Sequence, residues 1–328
     1  MIVILSVDGD VSTCRVMKYL ADSKANCIRI NYEDLRRKRL IIKLSADKRQ
    51  INLDGNDIPI SEINCVWYRK FSQINEHQVD KLLNGRRIIK PELQILLHEE
   101  MQRVAQSLCI ALKDKFWLTD YHCINANKIE IMQIASECGF DIPESQIVNC
   151  KADIEAGFVS KSIRDTKPLF WGKREKFGMM YTTEIQKSDI EKLPNFFRPS
   201  LTQRKIDKEF ELRVFYLCGE MYAMAILSQL DKQTQVDFRV YNNEKPNRYL
   251  PYNLNKNDKQ KIVRFMNRIK LNCGSIDLIR SKDGRLVFLE VNPTGQFGMT
   301  STPCNYNLHK KIAEKLIEFD KNETIQNC

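Results

Sequence analysis

The sequence predicts a mixed α+β / α/β chain: an N-terminal α/β domain, a central α+β subdomain and a C-terminal α+β subdomain. Three observations carry this prediction. A length of 328 residues buries more than one core. The chain opens as an apolar run, an amphipathic stretch and a second apolar run, the order of a strand–helix–strand unit. Past Pro199 the apolar runs follow one another across short polar turns, which is hairpin spacing. The regions are drawn at residues 1–116, 117–198 and 199–328.

In the first region, residues 2–7 read as a strand and Val11 to Leu20 as an amphipathic helix, and Cys27–Ile30 is a second strand. Leu40–Leu44 and Gln50–Leu53 alternate like a hairpin. Ile63–Tyr68 leads into the cluster Trp67-Tyr68-Arg69-Lys70-Phe71, whose mixed aromatic and basic groups suit an acidic peptide. Pro91 opens a helix with the packing stripe Leu93, Leu97, Met101, Val104, Leu108 and Ala111.

The second region starts near Trp117. Asn125–Cys138 reads as a helix ending at Gly139, and Gln146–Asn149 and Phe158–Ile163 read as strands with a short helix near Ala152 between them. Residues 160–178 hold six basic against two acidic residues among Phe170, Trp171 and Phe177, with hinge glycines at Gly172 and Gly178. That composition fits a solvated hairpin, a nucleic-acid surface or a loop over phosphates. In the third region Leu201–Ile206, Glu211–Leu217 and Met221–Leu227 are strands, Asn255–Lys270 is a basic helix, and a last helix spans about 305–319.

Composition narrows the classes of function. The 43% hydrophobic and 29% charged residues are those of a soluble globular protein. No apolar run approaches the roughly 18–20 residues of a membrane helix, so no membrane partner is expected. Eleven cysteines without a CxxC pair and four isolated histidines argue for free thiols in a reducing cytoplasm and against zinc chemistry. There is no GxGxxG after the first strand and no GxxxxGK[ST] anywhere. The net charge of +10 favours acidic partners.

The chemistry concentrates in Ser275–Phe297, SIDLIRSKDGRLVFLEVNPTGQF. If Asp283-Gly284 is a two-residue hairpin turn, Asp277 faces Glu290. Strand alternation then puts Glu290 and Asn292 on one face and Val287, Leu289 and Val291 on the other. Opposed like charges destabilise a strand pair, so Glu290→Gln is expected to hold or raise stability. Two carboxylates and an amide oxygen are hard ligands that suit Mg²⁺ shared with substrate phosphates. Asn292-Pro293-Thr294-Gly295-Gln296 then leaves the strand through a flexible glycine.

With its spacing of Asp277 from Leu289-Glu290-Val291-Asn292-Pro293, the chain resembles the ATP-grasp ligases over roughly residues 117–318. It resembles most the graspetide peptide maturases, of the grasp-with-spasm and microviridin type. That finer likeness rests on WYRKF at 67–71, NANK at 125–128, the QRKIDKEFELR run from Gln203 and SQ at 228–229. DFR at 237–239 and LEVNPTGQFG followed by PCNYNLHKKIA complete it. The resemblance implies an ATP-grasp fold, with ATP and Mg²⁺ as cofactors. It implies that Lys128 and Lys161 contact phosphates, that Gln203, Arg204, Lys205 and Ile206 form the adenine linker, and that Glu211 takes the ribose hydroxyls. It implies that Arg213 and Arg239 cradle the transferred phosphate and the acceptor carboxylate, and that Asp277, Glu290 and Asn292 hold magnesium. Asp237 is a candidate general base. The implied reaction phosphorylates Asp or Glu side chains of an acidic ribosomal precursor peptide, leader plus core, and closes esters or amides onto Thr, Ser or Lys. A homodimer is compatible with the resemblance, and no nucleic acid is expected. The alternatives are a ligase adding free amino acids to a peptide or protein and a nucleic-acid-binding module.

Overall fold

Strand β1 (Ile2–Ser6) is buried along its whole length. It lies between β2 (Cys27–Asn31) and a later strand, Cys65–Tyr68, both parallel to it, and a run of four apolar side chains suits a strand covered on both faces. Between those neighbours the chain makes a separate sheet of β3 (Leu40–Leu44), β4 (Arg49–Leu53) and β5 (Asn56–Ile58), one strand more than the expected hairpin. Cys65–Tyr68 is then β6, and β7 (Phe116–Thr119) pairs parallel to it, giving the order β2-β1-β6-β7. The computed structural model describes the chain except residues 47–48, 72–90, 164–168, 172–175, 179–180, 232, 241, 243, 245 and 322–328. It divides into two units. The first takes Met1–Ile124, Leu271–Cys273 and the chain from Asn307 on, and the second takes Asn125–Lys270 and Gly274–Tyr306.

In the first unit, the helix Val11–Asp22 starts at Asp10, whose carboxylate accepts the Thr13 amide at 3.1 Å and the Thr13 hydroxyl at 2.7 Å. The helix Leu308–Lys321 packs against that helix and against β1 and β6. The helix Pro91–Ala111 packs through Met101, Val104, Leu108 and Ala111 as expected, but Leu93 is 46% exposed. A near-heptad stripe drifts around a straight helix, and the buried face passes onto Ala105 and Cys109 instead.

The WYRKF cluster does not form the peptide-reading surface that its composition suggests. Trp67, Tyr68, Arg69 and Phe71 are all buried, with Phe71 edge-on to Tyr32 and Tyr68. Arg69 donates from Nε to Asp10 at 3.3 Å, and Lys70 reaches the other oxygen of that carboxylate at 3.3 Å. These groups sit at the carboxyl ends of β1 and β6, where the order of a parallel sheet reverses.

The second unit contains two main sheets. One is antiparallel, in the order β12-β9-β13-β8, built from β8 (Ser145–Cys150), β9 (Phe158–Lys161), β12 (Thr183–Glu184) and β13 (Phe196–Arg204). The other runs β16-β15-β14-β17-β18, from β14 (Lys208–Leu217), β15 (Glu220–Leu227), β16 (Arg248–Tyr252), β17 (Cys273–Ser281) and β18 (Leu286–Asn292). Within the basic stretch, β10 (Leu169–Trp171) pairs antiparallel with β11 (Lys176–Gly178), while Gly172 and most of the remaining stretch lie outside the described residues.

The helix Lys128–Glu137 begins three residues later than expected, because the Asn127 side chain caps it by accepting the Ile129 amide at 2.9 Å. Beyond its far end Phe140 packs with Phe265 and Phe288, and the Phe288 amide donates to the Asp141 carbonyl at 2.8 Å. The helix Lys256–Arg268, capped by Asn255, is tied to β17 where Arg280 meets Asp258 at 2.6 Å. Both helices are thereby fixed to the hairpin that carries the acidic residues.

Candidate active site

The β17–β18 hairpin brings Asp277 opposite Glu290 and Ser275 opposite Asn292. The route differs from the two-residue turn of the sequence reading. Near the turn Arg280 pairs with Leu286, and Gly284, at φ 83°, closes a three-residue loop. That register alone would misalign the acids by one residue. A bulge between Asp277 and Leu278 absorbs Leu289 as an extra residue and restores the pair. In consequence Phe288, not Val287 or Leu289, shares the face of Val291, and Phe288 is fully buried.

Gly295 is not a flexible joint. At φ 49°, a Cβ there would stand 3.2 Å from the Phe215 ring, so the turn after Asn292 requires glycine and close packing.

Around the two carboxylates stand four cationic side chains. Lys128 Nζ lies 3.2 Å from Glu290 Oε2 and donates toward the Ser162 carbonyl at 3.5 Å. Arg213, on β14, places Nη1 3.3 Å from Asp277. Lys161, at the end of β9, interacts electrostatically with Glu290 and Asp277, and Arg239 does the same. Burial pushes Glu290 up, but Lys161, Lys128 and Arg239 together outweigh it and bring the carboxyl down to about 2. Burial wins at Asp277, raising its carboxyl above the ordinary range despite Arg213. Lys161 is pushed down, mainly by burial and against the pull of Glu290.

These cations argue against the expectation that opposed carboxylates leave Glu290 as a net liability. Its surroundings are cationic in sum.

The donor set fits a hard divalent cation. Asp277, Glu290 and Asn292 offer side-chain oxygens on one face; Ser275 Oγ is buried there without a hydrogen bond, and so is Asp277 Oδ1, which faces Arg213 Nη1 at 3.3 Å. Ser275 was missed in the sequence, although it stands two residues before Asp277 on the same strand face. No group of three His, Cys, Asp or Glu with metal-site geometry occurs among the described residues, so the amide of Asn292 is needed to complete the set.

Asp237 and Arg239 form one unit. Asp237 accepts from the Arg239 amide at 3.0 Å, from Nε at 2.9 Å and from Nη2 at 2.7 Å, and from the Thr182 amide at 2.9 Å. Burial opposes ionisation of Asp237, but the Arg239 bonds and charge and the Thr182 amide bring its carboxyl below the usual range. A carboxylate so engaged is a poor proton acceptor. Thr182 was not singled out in the sequence, since a backbone amide leaves no residue signature.

The four residues expected to form the adenine linker lie at and just beyond the end of β13. Gln203 is buried and donates to Ser145 at 2.9 Å and to Met132 Sδ at 3.2 Å. Arg204 is exposed, with its amide on the Glu144 carbonyl at 2.8 Å and its side chain on the Glu144 carboxylate at 2.7 Å. Lys205 meets Glu184 at 2.6 Å, and Ile206 follows outside any strand. Glu211 is buried and accepts from Lys208, which also donates to the Val236 carbonyl at 3.2 Å. Burial still leaves the Glu211 carboxyl above its ordinary range.

Residues 1–125 match the family model of the MvdD pre-ATP grasp domain, and residues 202–316 match that of the RimK-like ATP-grasp domain. No curated protein matches the chain. Among solved structures, a Chryseobacterium gregarium RiPP-associated ATP-grasp ligase, in complex with ADP and a leader and core peptide, superposes with a TM-score of 0.81. It is 21% identical, over 97% of this chain and 96% of that one. The macrocyclase MdnC from Microcystis aeruginosa MRC, bound with precursor peptide MdnA, superposes with a TM-score of 0.79 at 21% identity, over 97% and 100%. The ATP-grasp ligase PsnB, complexed with minimal precursor, Mg and ADP, gives 0.72 at 16% identity, over 98% and 97%. At these identities the likeness shows the fold. The chain thus carries an MvdD-type pre-ATP grasp domain followed by a RimK-like ATP-grasp domain, in a fold shared along nearly its whole length with solved ATP-grasp ligases.

Proposed function

We propose that the protein uses ATP to activate side-chain carboxylates of an acidic, ribosomally made precursor peptide, leader plus core. Thr, Ser or Lys side chains of the same peptide then displace the phosphate and close esters or amides. The observation that carries this reading is the ring of Lys128, Lys161, Arg213 and Arg239 around the opposed Asp277 and Glu290. Phosphoryl transfer to a carboxylate asks a protein for charge neutralisation and alignment rather than a covalent nucleophile, and this ring supplies both.

Mg²⁺, held by Asp277, Glu290 and Asn292, would supply further neutralisation of phosphate charge. Lys128 and Lys161 act as point charges for the phosphates. Gln203 to Ile206 edge the adenine, and Glu211 takes the ribose hydroxyls. Arg239 presents its guanidinium to the acceptor carboxylate, and Arg213 steadies Asp277 beside the transferred group. Asp237 positions Arg239 and does not move a proton. The net charge of +10 supports an acidic peptide as partner, and the likeness to ligases solved with precursor peptides supports a peptide rather than a free acid.

Mass spectrometry of a co-expressed acidic precursor tests the reading. Each crosslink removes one water from the peptide. A peptide that gains amino-acid residues instead identifies a ligase of free amino acids, and an unchanged peptide with ATP turnover contradicts the proposal.

A further inference from the structure

The two carboxylates that would hold the cation are each paired with a basic side chain. Lys128 Nζ stands 3.2 Å from Glu290, and Arg213 stands 3.3 Å from Asp277. The two pairs differ in freedom. Arg213 is a buried side chain in the middle of β14, whereas Lys128 is 21% exposed on the first turn of its helix and faces Glu290 at 27% exposure. A lysine has a four-carbon stem with free rotamers, and its ammonium is an interchangeable point charge. The same Lys128 is the group assigned to phosphate.

We infer that Lys128 is a latch between the nucleotide and cation subsites: it holds Glu290 until the phosphate of a bound nucleotide draws it away. Glu290 is thereby released for the cation only when nucleotide is present. Cation and nucleotide must then favour each other's binding by the same factor, since coupling between two sites is reciprocal. The latch also keeps the acidic pair from taking up a divalent cation with no phosphate to share it. The inference rests on the reading of Asp277, Glu290 and Asn292 as cation ligands.

Mn²⁺ titration followed by electron paramagnetic resonance tests it on the full chain, first alone and then with ADP. The wild type is expected to bind Mn²⁺ at least about tenfold more tightly with ADP than without, within the usual range of such couplings. Lys128→Met is expected to bind Mn²⁺ alone roughly tenfold more tightly than the wild type, and to lose most of the ADP effect.

Lys161→Met is the control, because it removes an equal charge whose electrostatic effect on Glu290 is the larger of the two. Simple charge removal predicts a gain from Lys161→Met at least as large as that from Lys128→Met. The latch predicts the larger gain from Lys128→Met. Equal gains, or a Lys128→Met affinity no higher than wild type while the wild type still binds Mn²⁺ with ADP, overturn the latch and leave the cation site standing. Absence of Mn²⁺ binding by the wild type even with ADP overturns the cation site, and the latch with it.

Discussion

Replacing Glu290 by Gln should destabilise the protein, and the size follows from its neighbours. The carboxyl sits at about 2 against an ordinary 4.5. At about 1.36 kcal/mol per tenfold change in proton affinity, that difference is on the order of 3 kcal/mol in favour of the ionised folded state at neutral pH. Asp277 offsets part of it, since its carboxyl is pushed the other way. Glu290→Gln is therefore expected to cost roughly 1–3 kcal/mol, or a few degrees to about 10 °C of melting midpoint for a unit of this size. The folded-state value is depressed, so the stabilisation is present above pH 4.5 and fades as pH falls toward 2. The assay is thermal and urea unfolding of wild type and Glu290→Gln without nucleotide or metal, between pH 7 and pH 3. The gap between the two should narrow below pH 4.5. A variant as stable as wild type at pH 7, or more so, would falsify the claim that Lys161, Lys128 and Arg239 outweigh the opposed carboxylate.

Lys161→Met should weaken ADP binding roughly 10- to 100-fold, the worth of one charge-assisted contact, with the fold intact by circular dichroism; unchanged affinity removes Lys161 from the phosphate site. Asp237→Asn should lower turnover roughly 10- to 100-fold with ADP affinity nearly unchanged and the shape of the pH–rate profile preserved, because Arg239 is misplaced rather than a base lost. Loss of the acidic limb of that profile would restore Asp237 as the base. Arg69→Met should cost about 3–5 kcal/mol of stability by leaving Asp10 without its main buried partner. A stable Arg69→Met protein with a selective loss of peptide binding would return Arg69 to substrate recognition.

Much of the second unit was legible because its chemistry sits on strands, where a period of two sets which side chains converge. Glu211 with Arg213, and Glu290 with Asn292, needed only that period. The facing of Asp277 and Glu290 was reached through two compensating errors, a turn one residue too short and an unseen bulge. A bulge has no residue signature beyond its effect on burial, here Phe288 rather than Val287 beside Val291. The N-terminal cluster misled for a different reason. Composition cannot tell a basic group that faces solvent from one sealed against a buried acid, and Asp10 lies 59 residues before Arg69. The grip of Asp237 on Arg239 follows from local spacing, whereas the Thr182 amide, 55 residues away in sequence, does not.

The central claim is that the peptide carboxylate is activated by direct phosphorylation. Precursor peptide carrying oxygen-18 in its Asp and Glu carboxyls tests this most directly, with the released phosphate analysed by mass spectrometry after each crosslink forms. Transfer of one labelled oxygen into inorganic phosphate, with ADP as the other product, is the predicted result. Crosslinked peptide accompanied by unlabelled phosphate, or by AMP and pyrophosphate, would contradict it.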